Sequence, residues 1–161
     1  MTASFDTCER MMVAVLTTDQ IRTFAVTGSL VVSGGVAPDV LDVVDNGGNL
    51  WVWPGTHLSH AAFFAARGPQ AFAEAGGYPD IELPEPTQIH GRRGDVLLAH
   101  YLLGHNIGGN YKTNRIRRAI YCRLRTPGHV ARWESCLADP WLEYPGVRRL
   151  LNHRSTSGRR A

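Results

Sequence analysis

A chain of 161 residues has room for one domain with a substantial core, and not comfortably for two. With 43% hydrophobic and 19% charged residues it falls among folded globular proteins, not disordered ones. The net charge is only +3, and basic density rises mainly at the end (Arg148, Arg149, Arg154, Arg159, Arg160), which excludes the concentrated basic stripe of a general nucleic-acid binder.

The three cysteines, Cys8, Cys122 and Cys136, are odd in number, far apart and without a CxxC pair. That argues against a disulfide framework or a cysteine zinc site, and suits a reducing compartment. The early apolar run, residues 11–16, is too short for a signal-peptide core or a membrane span. The expectation is a soluble cytoplasmic protein without nucleic-acid or membrane partners.

In chain order, Thr17 or Thr18 is a helix N-cap candidate, Ile21 and Phe24 or Ala25 share a helical face, and Gly28 stops the helix. Leu30, Val31 and Val32 read as a short strand. Residues 38–44 read as either a short helix or a strand. Asp45-Asn46-Gly47-Gly48 is strong turn chemistry leading into a strand, Leu50 to Trp53, with both faces occupied. Pro54-Gly55-Thr56-His57 closes it as a turn, in which His57 is expected to bond local backbone. Residues 59–77 read as helix broken at Gly68-Pro69, and residues 78–93 as an irregular loop rich in proline. Residues 96–100 read as a strand, 104–115 as a loop, and 117–124 as a third strand by their β-branched and aromatic content. Two helices are expected in the tail, one from Pro127 or Val130 to Leu137 and one around residues 147–152. Strands, turns and few long helices suggest an antiparallel β architecture with helical decoration.

Three segments carry chemistry. The first is Asn46-Gly47-Gly48-Asn49-Leu50-Trp51-Val52-Trp53-Pro54-Gly55-Thr56-His57. The second is Gly94-Asp95-Val96-Leu97-Leu98-Ala99-His100. The third is Leu102-Leu103-Gly104-His105, followed by Asn110, Thr113 and Arg117-Arg118-Ala119-Ile120-Tyr121. In this order and spacing they resemble the phytanoyl-CoA dioxygenase family of Fe(II)/2-oxoglutarate-dependent oxygenases. The opening helix and strand, through Val32, are similar as well.

The resemblance implies a mainly β fold with helical decoration, a double-stranded β-helix (jelly roll, cupin-like) that is incomplete here. It implies one domain over 1–161: an N-terminal helix and strand at 17–45, a jelly-roll half at 46–125, and a helical tail at 126–161. It implies hydroxylation of a small organic substrate with Fe(II) and the co-substrate 2-oxoglutarate. Two histidines and one carboxylate hold the iron in such enzymes. By position His105 is the distal metal ligand, and Arg117 grips the far carboxylate of 2-oxoglutarate through its planar fork. His100 packs near the site without ligating, Trp51 and Trp53 serve as core and cleft wall, and the loop after residue 76 lies where the family places a variable lid.

One part of the pattern is missing. No histidine here (His57, His60, His90, His100, His105, His129, His153) is followed two positions later by Asp or Glu. The family's His-x-Asp segment lies between the opening helix and the NG strand, and here those two nearly abut around residues 41–46. Asp42 and Asp45 are the carboxylates at that junction. The alternative reading is therefore a non-catalytic remnant or a cupin-like small-molecule-binding protein. Exposed strand edges in such a shortened fold would allow a homo-oligomer.

Overall fold

The computed structural model describes residues 16–34, 47–74, 79, 81–92, 94–112, 114 and 119–157. The junction with Asp42 and Asp45, and the co-substrate residue Arg117 with its neighbour Arg118, lie outside the described residues.

Helix α1 (Thr18–Thr27) forms where the sequence places it. Thr17 accepts from the Gln20 N–H while the Gln20 side chain accepts from the Thr17 N–H, a reciprocal capping box of the kind that stabilises a helix by about 1 kcal/mol. Gly28 ends it in the left-handed region at φ 78°. The chain turns at once into β1 (Ser29–Val32), which pairs antiparallel with β4 (Val96–Ala99), Leu30 opposite Leu98. The second sheet has the order β3-β2-β5, from β2 (Leu50–Val52), β3 (Thr87–Gln88) and β5 (His105–Ile107). Trp51 lies opposite Gln88 on one side and Asn106 on the other.

Helix α2 (Thr56–Arg67) starts inside the motif expected to be a mere turn. Thr56 explains the motif's geometry. Its hydroxyl donates to the Trp53 carbonyl at 2.7 Å and accepts from the Gly104 N–H at 2.9 Å. One buried hydroxyl thus ties the end of β2, the start of α2 and the bend before β5. The inner face of α2 carries His57, His60, Ala61 and Phe64, the i, i+3, i+4, i+7 spacing of a single helical stripe. Ala61 and Phe64 pack with Leu102, and Phe63 and Leu137 close the cluster. After the break at Gly68 comes a single turn, α3 (Ala71–Glu74). In the tail, α4 (His129–Ala138) packs against α2, and α5 (Pro145–Ser157) packs against α1.

The expected mainly β jelly roll is not what forms. Among the described residues helix outweighs strand, the sheets have two and three strands, and they do not close into a barrel. Two local causes stand out. The alanine-rich stretch after β2, expected as helix from residue 59, is helical already from Thr56 and covers the core from one side. Residues 119–124, expected as a strand, pair with no strand among the described residues and are exposed, Ile120 at 87%. Strand propensity reflects packing on a pleated surface, and among the described residues these six join neither sheet. In the other direction, His105–Ile107 is a strand where a loop was expected. Among the described residues no helix is long and apolar enough to cross a membrane.

Gly28 is a tight backbone position where α1 meets α2. A Cβ there would lie 2.5 Å from His57 Nδ1 and 2.9 Å from a Leu103 methyl, at a φ that side chains rarely adopt. Gly28→Ala is expected to cost about 2–3 kcal/mol, overpacking and backbone strain together, measured as the midpoint shift in urea unfolding. A change below about 0.5 kcal/mol would mean that α1 and α2 are not seated as described.

Candidate functional site

The expected ligand His105 begins β5, opposite Val52, and is exposed. Its Nδ1 donates to the Leu103 carbonyl at 2.8 Å, which leaves Nε2 as the atom free to accept. It borders an open cleft of about 300 Å³ together with Trp53, Leu83 and Asn106. Trp53 is thus a cleft wall, as the sequence reading had it, and Leu83 comes from the proline-rich loop that was assigned the lid position.

The neighbouring sheet face is unusually polar. Side chains two apart on a strand share a face, as do residues directly opposite on paired strands. Asn49, Trp51, Gln88 and Asn106 therefore lie on one face of β3-β2-β5. Asn49 is 1% exposed, and among the described residues neither its Nδ2 nor its Oδ1 has a hydrogen-bond partner; Gln88 Nε2 is likewise buried without one among them. A buried unmade amide bond costs about 1–3 kcal/mol. Gly108 lets the backbone pass close to this face, since a Cβ there would sit 2.6 Å from Trp51 Nε1.

His57, His60 and His100 are buried and structural. His57 Nε2 donates to the Ala25 carbonyl on α1 at 3.2 Å, not to its own turn as expected. His60 Nδ1 donates to the Leu102 carbonyl at 2.6 Å. His100 donates from Nε2 to the Pro140 carbonyl (2.9 Å) and accepts at Nδ1 from the Leu102 N–H (3.1 Å), so one neutral tautomer satisfies both nitrogens. Trp141 stands edge-on to His57 and to His100, with centroids at 5.4 and 5.3 Å. Burial is the main cause that depresses both imidazoles, His100 to about 4.

A second polar cluster went unread in the sequence. His129 and Cys136 sit on α4, and Glu143 returns over them from the turn that follows. Their ligand-type atoms all lie within 4.8 Å of one another. Glu143 accepts from Thr126 Oγ1 at 2.5 Å and pairs with His129 Nδ1 at 2.8 Å, and the hydroxyl is the largest cause holding its carboxyl below the usual range. Burial pushes the Cys136 thiol up. The available signal was the seven-residue spacing from His129 to Cys136, two helical turns on one face.

Comparison with protein-family models, with curated proteins and with solved structures finds no match.

The depressed imidazole of His100 has a pH consequence. Unfolded, His100 titrates near 6.5; folded, near 4. Between these values the unfolded chain takes up a proton that the folded one refuses. The stability contributed by the neutral ring is therefore complete above pH 6.5 and lost as pH falls toward 4, on the order of 3 kcal/mol. Urea unfolding across this window is expected to show that slope, and His100→Gln is expected to flatten it, leaving the part due to His57. An unchanged slope in the variant would remove His100 as its source.

Proposed function

We propose that this chain is a small-molecule-binding relative of the phytanoyl-CoA-dioxygenase-like Fe(II)/2-oxoglutarate oxygenases. A small polar organic molecule is taken in the cleft beside β5. The three motif segments support the kinship. The pairing of the NG-type strand β2 with the strand that carries His105 supports placing the ligand there.

The iron centre is a separate matter. Fe(II) in such enzymes needs two histidines and a carboxylate on one side of the metal. Among the described residues no second His, Cys, Asp or Glu converges on His105; the one convergent group is His129, Cys136 and Glu143, built on other elements. The described residues do not fit the iron site, and no oxidative step is assigned to them.

The observation that carries the binding reading is the cleft itself, where the side chains of His105 and Asn106 stand beside Trp53 and Leu83. The Asn49 amide, nearly fully buried and without a partner on either atom among the described residues, destabilises the free protein. It shares its face with Asn106, which lines the cleft. A ligand with donors and acceptors would pair with His105 and Asn106, as small-molecule sites do with a few placed polar atoms on an apolar and aromatic wall.

Isothermal titration with 2-oxoglutarate as the probe tests this, run anaerobically with and without Fe(II). Metal-independent binding is expected, weakened about tenfold or more by His105→Ala and by Asn106→Ala, the loss of one good polar contact to a charged group. Asn49→Leu is expected to raise the stability of the free protein by about 1–3 kcal/mol. Binding of undiminished strength in both alanine variants would sink the cleft assignment. A visible charge-transfer band with Fe(II) that vanishes in His105→Ala and Arg117→Ala would instead establish an oxygenase whose remaining ligands come from elsewhere.

A further inference from the structure

Cys136 is 1% exposed and the Glu143 side chain 6% exposed, yet a thiol, a carboxylate and an imidazole meet at this point. An ion pair between His129 and Glu143 would account for two of the three groups. It gives no role to the thiol, which an alanine or valine would replace without polar cost. We propose that His129, Cys136 and Glu143 form a binding site for a zinc-class divalent cation, which staples α4 to the turn before α5.

The geometry is close to what such an ion needs. Zinc bonds of about 2.0–2.3 Å hold tetrahedral ligand atoms roughly 3.4–3.8 Å apart. The present spread of up to 4.8 Å requires a contraction of about 1 Å, within reach of side-chain rotation. The donor set is one sulfur, one nitrogen and one oxygen. That mixture suits borderline-soft zinc, whereas magnesium and calcium demand oxygen alone. The charges also close. Thiolate and carboxylate balance a dication, and Arg132, 3.5 Å from Glu143 Oε1, adds one positive charge on the solvent side, where its side chain is half exposed. Thr126 already holds the other side of the carboxylate, the orienting hydrogen bond that metal-binding carboxylates characteristically have. Binding exchanges the Cys136 S–H bond for a sulfur–metal bond, the proton leaving to solvent. It exchanges the His129 Nδ1–H for a nitrogen–metal bond, the proton leaving to solvent from an imidazolium or reappearing at Nε2 of a neutral ring. His129, with its side chain 21% exposed, is the edge from which the ion enters and a water fills the fourth position.

The consequence is structural. Glu143 is followed directly by Tyr144, which with Trp141 covers the buried His100. The Tyr101 hydroxyl donates to the Cys136 carbonyl at 2.7 Å. An ion at this point would fix the aromatic lid of the core, independently of the cleft at His105.

Cobalt(II) is the probe, titrated into untagged protein stripped of metal, followed by zinc. The expected result is a near-ultraviolet thiolate-to-cobalt band with intense visible bands of a tetrahedral centre, bleached by one equivalent of zinc. Cys136→Ser is expected to abolish the thiolate band, and Glu143→Gln to lower affinity about 10–100-fold, the usual loss for weakened metal-site groups. Zinc is expected to raise the melting temperature of the wild type and not of Cys136→Ser; both proteins are first shown to be folded by their circular dichroism. No thiolate band in the folded wild type, or equal affinity in wild type and both variants, would overturn the proposal and leave a buried ion pair beside an inert thiol.

Discussion

The rest of the structure depends on keeping two imidazoles neutral and dry. His57 and His100 stand 5.2 Å apart at the centre of the molecule, and protonating either would place a charge beside the other. They are held neutral by backbone partners from distant elements. His57 bonds the end of α1, and His100 bonds the turn between α4 and α5. Each ring therefore works as a cross-brace between chain segments far apart in sequence. Phe24, Trp141 and Tyr144 stack edges and faces around them, which removes water and fixes the protonation state. The same closeness makes Gly28 obligatory. A braced core of this kind is stiff where the helices meet, and it leaves polar chemistry to its margins.

Those margins carry polar groups of two kinds. The margin at α4 is satisfied internally, with Glu143 bonded by Thr126 and His129. The margin at β3-β2-β5 is not, since Asn49 and Gln88 hold buried amide atoms without partners among the described residues. Evolved interiors rarely keep such atoms without a reason, an ordered water, strain or a bound group among them. The contrast separates a carboxylate whose oxygens are already bonded from amides that are not.

Much of the local structure could be read from the residues. Thr17, Gln20 and Gly28 spell the start and stop of α1, and Asn-Gly-type turns introduce β2. Both tail helices follow from their apolar spacing. The architecture was misread because strand-like composition does not say whether a partner strand exists. Residues 119–124 have the composition of a strand and are exposed, while the short segment from His105 has little of it and is paired. Hydrogen-bond partners are contributed from far along the chain, so local propensity cannot decide between these cases.

The sites divide along the same line. The motif series marked His105 as a metal ligand; it borders a cleft, and among the described residues no second ligand converges on it. The histidines of the core gave no such sign. Nothing adjacent to His57 in sequence foretells that Ala25 and Gly28 enclose it. The gathering of Cys136 and Glu143 depended on how the chain turns back after α4. The sequence by itself determined where helices and turns begin and end, and which residue types are available for chemistry, because caps, spacing and turn residues act over a few positions. Only the tertiary structure decided which histidines are buried braces, which amide lacks a partner among the described residues and which thiol meets a carboxylate. Burial and convergence are set by contacts between segments tens of residues apart.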